Sequence, residues 1–149
     1  MDKFDKEILS VLLENGKIQL SELSKKTNLS VSSCQRRIKN LEESGIIKGY
    51  QAVIDPKQVG KSFQALVFIT LSQAGGEKIS EFEAALSKIP CIVEAQRIFG
   101  EQDYVLLVAT SDLTAYQEAY DTQLSTLPSI KKIETTLLMK EIIPHRMIL

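Results

Sequence analysis

The chain has 149 residues, of which 44% are apolar, and its 18 Lys and Arg nearly balance 19 Asp and Glu for a net charge of −1. This length suits one domain or two small ones, and the apolar fraction is sufficient for a packed core. No apolar run approaches the roughly 20 residues needed to cross a bilayer, and residues 1–15 do not resemble a signal peptide, so we expect neither a membrane-spanning segment nor a secretion signal.

The cysteine and histidine content argues against metal chemistry. Cys34 and Cys91 lack the C-x-x-C spacing of metal and redox sites. Lone cysteines suit a reducing compartment rather than a disulfide framework. The single histidine, His145, excludes a His-rich cluster. We therefore expect a cytoplasmic protein with no metal site, no cofactor and no membrane partner.

The first 15 residues predict an amphipathic helix. Apolar side chains recur at helical spacing through residues 3–14, and Asn15-Gly16 supplies a helix stop. The side chains predicted to lie on its inward side are Phe4, Ile8, Leu9, Leu12 and Leu13.

Residues 21–44 predict two further helices joined by a turn. Ser21 is placed to cap the first of them, Leu23 provides its apolar face, and Asn28 tolerates the left-handed backbone of a turn. Ser30 then offers its hydroxyl to the free N–H groups of the next helix. The buried stripe of that helix is predicted to be Val31, Cys34, Ile38 and Leu41. Three short helices with such short connections can form only a compact bundle.

The other face of the last helix is polar and cationic. Small side chains in its first turn allow a close approach to a major groove, and Arg, Lys and Asn beyond them can reach base edges and phosphates. Predicted base contacts are Ser32, Ser33, Arg36 and Asn40, and predicted phosphate contacts are Ser30, Arg37, Lys39 and Lys48. Basic residues usually form just the solvated face of a helix, so this pattern alone leaves helix-turn-helix and ordinary helical hairpin about equally favoured.

Charge differs between the two halves of the chain. Residues 1–60 hold 10 Lys and Arg against 8 Asp and Glu, a net charge of +2, and the rest of the chain carries −3. This mild asymmetry weakly supports a DNA-facing first half. It predicts that one unit alone binds DNA weakly and that affinity requires dimers or larger assemblies.

A linker and a second pattern follow. Residues 51–54 are predicted to be extended, either as a β wing or as a linker strand, and Asp55-Pro56 and Gly60 end this segment. Predicted strands then occupy residues 62–72, 92–99, 104–109 and 130–143, with one helix ending at Pro90 and another capped by Asp112 and ending at Pro128. The side chains predicted to face inward are Ala65, Val67, Ile69 and Leu71 from the first strand, Ile79, Phe82, Leu86 and Ile89 from the first helix, and Leu113, Tyr116, Tyr120, Leu124 and Leu127 from the second.

The second half repeats itself, since strand, helix and strand are joined twice through similar Pro-containing segments. Two such halves with right-handed crossovers predict a ferredoxin-like βαββαβ domain, with a four-stranded antiparallel sheet and both helices on one face. Leu66 and Phe68 are apolar on the opposite face, and residues 104–109 are apolar on both. A strand that is apolar on both faces must be covered on both, so we expect a second subunit's sheet to cover the open one.

Taken together, the segments resemble the Lrp/AsnC, or feast/famine, family of transcription regulators over essentially the whole chain. The matching segments are residues 2–9, 22–24, 29–30, 34–38, 41–42, 45–47, 100–104 and 139–142. One departure is Val31, where many members have a Pro that only pre-organises the helix start. The resemblance implies an α+β chain with an N-terminal (winged) helix-turn-helix domain at 1–50, a linker strand at 51–61, and a ferredoxin-like dimerisation and effector-binding domain at 62–149.

The resemblance also implies partners. These are double-stranded DNA, a second copy in a dimer that assembles further into tetramers, octamers or larger rings, and a small amino acid bound between dimers. In similar proteins the hairpin at residues 100–104 forms part of the ligand pocket, and a neighbour's last strand approaches it. The implied effector contacts are Gly100 N–H groups for the carboxylate, Asp103 for the ammonium group, hydroxyls of Thr135 and Thr136, and the neighbouring Glu101 and Tyr104. Without the resemblance, the sequence favours an ordinary solvent-exposed turn over a ligand pocket here.

Two other function classes are weighed against a DNA-binding regulator. An enzyme would need a nucleophile–base pair, a metal set or a cofactor loop, and the sequence offers no such constellation, so we predict no catalytic residues. Alternatively, the helical unit of a ferredoxin-like dimeric module docks a protein partner rather than DNA. Deleting residues 1–50 discriminates, because a regulator loses promoter binding while its dimer persists.

Overall fold

A computed structural model describes residues 1–72 and 75–143. The chain divides into two units, Met1–Val53 and Ile54–Ile142. The described helices are not long and apolar enough to cross a membrane. Residues 1–72 and 75–143 contain no group of three or more His, Cys, Asp or Glu placed to hold a metal ion.

The first unit contains three helices: α1 (Lys3–Glu14), α2 (Leu20–Thr27) and α3 (Val31–Glu43). Ser30 caps α3 as predicted, because its Oγ accepts a hydrogen bond of 3.2 Å from the Ser33 N–H. Asn28 adopts the expected left-handed backbone, with φ 54°. The buried side chains that join the three helices are Ile8, Leu9, Leu23, Cys34 and Leu41.

Several predicted contacts of this unit are wrong. Phe4, Leu13 and Val31 are 40%, 51% and 44% exposed, because short helices enclose only the centre of each apolar stripe and leave its ends and flanks in solvent. Ser21 is not a cap. The N-cap of α2 is Gln19, so Ser21 lies inside the first turn of the helix.

The segment after α3 contains no regular strand. Residues 48–54 pair with no strand in the part of the chain that the structure describes, so the β wing or linker strand expected there stays a prediction. Pro56–Val59 forms a short 3₁₀ helix capped by Asp55, and Gly60 ends it with a left-handed φ of 72°.

The second unit has the predicted ferredoxin-like topology. Its elements are β1 (Phe63–Leu71), α4 (Gly76–Leu86), β2 (Ile92–Arg97), β3 (Tyr104–Thr110), α5 (Leu113–Ala119) and β4 (Ile130–Leu137), with a π-helical turn at Tyr120–Leu124. All neighbouring strands are antiparallel in the order β2-β3-β1-β4. The last strand is shorter than predicted. It ends at Leu137, which pairs with Ala65, and one further hydrogen bond of 3.0 Å runs from the Leu138 N–H to the Gln64 carbonyl.

The two faces of the sheet differ. Alternate residues of β1 are buried under α4 and α5 as predicted, although Leu113, predicted to face inward, is 61% exposed in the first turn of α5. On the opposite face, Leu66 lies across from Leu107 and Phe68 from Val105. We call these four half-buried side chains the open-face stripe. Polar residues of β2 and β4 border it, so the predicted second apolar face is present.

Candidate nucleic-acid interface and ligand site

The exposed side of α3 carries a row of polar side chains. Ser32, Arg36 and Asn40 are spaced four residues apart and all three are exposed. Lys39 lies beside this row, with Nζ 3.6 Å from a Glu43 carboxylate oxygen, and both side chains are mostly exposed. An ion pair in that setting contributes little and leaves the lysine available to other anions. Ser33 lies on the flank of the row and is half-buried.

Arg37 behaves differently from its neighbour Arg36. Its Nη1 donates to Asp2 Oδ2 at 2.8 Å and to Asp5 Oδ1 at 2.7 Å, and its guanidinium carbon lies 5.5 Å from the centre of the Phe4 ring. The hydrogen bonds to Asp5 and Asp2 raise the pKa of Arg37. The Asp5 N–H, with a smaller contribution from Arg37, lowers the pKa of Asp2. Two carboxylates already neutralise Arg37, so its predicted role as a phosphate contact competes with this ion pair and stays a prediction.

These α1 partners were missed from the sequence. Asp2 and Asp5 lie 35 and 32 residues from Arg37, so no local spacing rule connects them. The available signal was a pair of acids three residues apart at a helix start, which is the pattern of a capping box.

The exit from α3 is anchored by Tyr50. Its hydroxyl donates to Glu42 Oε1 at 2.9 Å, and burial together with this carboxylate raises the pKa of Tyr50. Lys48 lies two residues earlier and is exposed. This hydrogen bond ties the segment that carries Lys48 back to the last turn of α3.

The predicted ligand hairpin is tied to β1 through Asp103. The Asp103 N–H donates to the Ile69 carbonyl at 2.9 Å, and Asp103 Oδ2 accepts from the Leu71 N–H at 2.7 Å. One carboxylate oxygen thus fixes the hairpin against the sheet. Gly100 and Glu101 lie at the exposed tip.

Tyr104 belongs to the core rather than to the ligand surface. It is 2% exposed, its ring centre lies 4.8 Å from that of Phe82, and its hydroxyl donates to Glu83 Oε1 at 2.7 Å. Burial, with the hydrogen bond to Glu83, raises the pKa of Tyr104 to about 12. The predicted effector contact of this side chain is therefore corrected to a structural one.

The two threonines of β4 point to opposite faces of the sheet. Thr135 lies opposite the buried Val67 and shares a hydrogen bond with the Tyr116 hydroxyl, whereas Thr136 lies opposite Leu66 on the open face. The hairpin contacts β1 closer to the C-terminal end of that strand, at Ile69 and Leu71. One chain therefore does not bring both threonines to one site with the hairpin.

An open cleft of about 510 Å³ adjoins the hairpin and is lined by Arg97, Ile98, Phe99, Gly100 and Asp103. Its lining combines a guanidinium with a carboxylate, the two charges that a zwitterion requires. Phe99 is fully exposed beside them. Neither Arg97 nor Phe99 was predicted to bind a ligand, because both fall within the predicted strand 92–99, which indicated only sheet structure.

The sequence matches two family models that divide the chain between them. A winged helix-turn-helix DNA-binding model covers residues 1–48. A model described as the Lrp/AsnC ligand binding domain covers residues 64–148. The α3 row lies within the first match, and the hairpin lies within the second.

The chain is similar to known proteins over nearly its whole length. It is 35% identical over 142 residues to a proline dehydrogenase transcriptional activator of Rhizobium radiobacter, covering 95% of this chain and 91% of that one. It is 33% identical to the leucine-responsive regulatory protein of Salmonella typhimurium, covering 95% and 87%. A transcriptional regulator of Neisseria meningitidis, solved in complex with L-Met, superposes with a TM-score of 0.91 at 32% identity, covering 98% and 94%.

Proposed function

Because this chain belongs to the Lrp/AsnC family of DNA-binding transcriptional regulators, we propose that it reads its operators with the exposed row of α3. Ser32, Arg36 and Asn40 face base edges, with Ser33 at the margin of the row. Ser30, Lys39 and Lys48 contact phosphates. The supporting observation is that α3 buries Cys34 and Leu41 while its opposite side is exposed, so the helix can enter a groove without unfolding its unit.

Operator binding is tested with genomic fragments competing against random DNA, in the presence and absence of amino acids. We expect the full chain to retain a small set of fragments, and a variant lacking residues 1–50 to retain none while it still dimerises. Failure of the full chain to prefer any fragment contradicts the proposal. Absence of all DNA affinity favours the protein-docking alternative.

The chain acts as a dimer through the open-face stripe. Leu66, Phe68, Val105 and Leu107 form a continuous apolar patch across the two central strands, bordered by polar residues such as Glu134 and Gln96. An apolar centre with a polar rim is the usual anatomy of a protein interface. Dimers assemble further into tetramers, octamers or larger rings, which supply the several DNA contacts that one nearly neutral chain lacks.

The effector is an amino acid held beside the hairpin. Arg97 and the Gly100 N–H face its carboxylate, and Asp103 and Glu101 face its ammonium group. Thr136 comes from β4 of a neighbouring subunit, because the β4 threonines of the same chain lie elsewhere. The L-Met bound to the Neisseria meningitidis relative supports this ligand class, and the adjoining Phe99 and Ile98 favour an apolar side chain.

A thermal-shift screen of the proteinogenic amino acids tests the effector. A ligand at 100 times its dissociation constant stabilises the folded state by about 2.7 kcal/mol, so a true effector raises the unfolding midpoint clearly. Asp103→Asn should reduce that shift.

We further propose that the chain works in the cytoplasm, where its DNA partner is, and that it catalyses no reaction.

A further inference from the structure

We propose that Arg37 is a positioning residue: it ties α3 to the first turn of α1, and this tie holds α3 in the orientation that reads DNA. The inference rests on the proposed function, since it concerns how the same helix is presented. We call Arg37, Asp2, Asp5 and Phe4 the α1–α3 clamp.

The two carboxylates of the clamp divide their oxygens between two tasks. Asp2 Oδ1 accepts from the Asp5 N–H and Asp5 Oδ2 accepts from the Asp2 N–H, which completes a reciprocal capping box at the start of α1. The remaining oxygens, Asp2 Oδ2 and Asp5 Oδ1, both accept hydrogen bonds from Arg37 Nη1. All four oxygens are thus used, so Arg37 and the helix start stabilise each other.

The clamp is more enclosed than an ordinary surface ion pair. The Arg37 and Asp5 side chains are 22% and 16% exposed, although Asp2 is 52% exposed. Arg37 Nε is buried and has no hydrogen-bond partner among residues 1–72 and 75–143. Phe4 lies beneath the guanidinium, and this stacking explains why its ring stays near α3 while remaining partly in solvent.

The position of Arg37 on α3 lets the clamp fix the direction in which the exposed row of Ser32, Arg36 and Asn40 points. Arg37 directly follows Arg36, and successive residues of a helix are about 100° apart around its axis. The buried stripe of Cys34 and Leu41 holds α3 from one side only. A charged tie on the flank opposes rotation of the helix about its axis, and that rotation would move the Ser32, Arg36 and Asn40 row relative to a groove.

Charge-conserving and charge-removing substitutions separate positioning from phosphate contact. Arg37→Lys keeps the charge but loses the guanidinium that lies over the Phe4 ring while its Nη1 bridges two carboxylates, and Arg37→Gln loses the charge and the guanidinium together. We expect each variant to bind its operator about tenfold more weakly if the competent orientation falls to about a tenth of the population. Because a positioning residue makes no contact with phosphate, the slope of log affinity against log salt should stay unchanged.

Lys39→Gln is the matched control on the same helix. As a proposed phosphate contact it should reduce the salt slope by about 0.9 and lower specific and random binding together. The clamp proposal is overturned if Arg37→Gln reduces the slope similarly while Arg37→Lys restores binding, since that pattern identifies a phosphate contact. It is also overturned if both Arg37 variants bind like the unmodified protein.

Removing the two acids gives a second test, because the clamp and the change in charge predict opposite changes in operator affinity. Asp2→Asn with Asp5→Asn makes the unit more positive, which by charge alone strengthens DNA binding. The clamp predicts weaker operator binding instead, whereas random-DNA binding is unchanged or stronger. Glu14→Gln, on the same helix but away from Arg37, controls for the loss of a carboxylate. Tighter operator binding by the acid variant would show that Arg37 had been released to contact phosphate.

Folding is monitored by circular dichroism and the thermal midpoint of each full-length variant. Asp2→Asn alone keeps a competent N-cap, because Asn and Asp cap helices equally well, so it provides a folded variant if the double substitution melts the unit. If operator and random binding fall together in proportion to the unfolded fraction, the clamp is merely stabilising and the proposal fails. If the unmodified chain binds no operator, the proposed function fails instead.

Discussion

Two adjacent arginines of α3 have different environments. Arg36 is exposed in the middle of the polar row, while Arg37 is engaged by two carboxylates of α1. Sequence composition treats them as one basic pair. The structure divides them into a group available for recognition and a group already neutralised, and this division decides which substitution should alter specificity.

Arg36→Ala should weaken operator binding more than random binding. If Arg36 reads a guanine, the loss of its bidentate contact costs on the order of 1–3 kcal/mol of discrimination. Affinities for operator and random DNA, measured at the same salt concentration, check this expectation. Equal losses on both would show that Arg36 contacts phosphates only.

Tyr104 predicts a stability change at alkaline pH. Its pKa is raised to about 12 in the folded protein, so the folded state holds this proton more tightly than the unfolded state. The resulting stabilisation is complete below pH 10 and is lost as pH rises from about 10 to about 12. Tyr104→Phe should therefore lose less stability over that interval than the unmodified protein, as measured by urea unfolding at several pH values. Parallel curves for the two proteins would contradict the assignment.

At the scale of single elements, the start of α3 depends on one hydroxyl. Ser30→Ala removes the acceptor for the Ser33 N–H and should reduce the free energy of unfolding by about 0.5–2 kcal/mol. Ser21→Ala is the control, because Ser21 lies inside the first turn of α2 and is not its N-cap. Urea unfolding of both variants measures the difference. Similar losses for the two would contradict the cap assignment.

The hairpin between β2 and β3 is fixed to the sheet and still exposes the residues of the proposed ligand site. One Asp103 carboxylate oxygen accepts a hydrogen bond from the Leu71 N–H, and this bond joins the turn to the central strand β1. Gly100 remains at the exposed tip. A turn held in this way does not need to order itself when a ligand arrives. Preorganisation of this kind reduces the entropic cost of binding.

At the scale of the whole molecule, the open-face stripe predicts assembly. Phe68→Glu places a charge at the centre of the proposed interface, where desolvation is unfavourable, and should yield monomers. Leu113→Glu introduces the same charge at a position that is already 61% exposed, outside the stripe, and should leave the assembly intact. Sedimentation at several protein concentrations measures both. A dimeric Phe68→Glu protein would exclude the stripe as the interface.

Local and long-range interactions explain which features the sequence determined. The three helices, the Ser30 cap, the left-handed Asn28 and the ferredoxin-like strand order follow from short-range rules of periodicity, capping and connection length, and these were predicted correctly. The resemblance of the motifs supplied the regulator family. Periodicity overestimated burial at Phe4, Leu13, Val31 and Leu113, because a spacing rule identifies a stripe without showing how far its neighbours enclose it.

The tertiary structure alone decided how individual polar groups are used. Arg37 with Asp2 and Asp5, Tyr104 with Glu83, and Thr135 with Tyr116 join residues between 19 and 35 positions apart. No local pattern reports such pairs, because they form only after helices and strands have packed. The physical reason is that a folded protein satisfies its enclosed charges and hydroxyls with whichever partner the packing brings near.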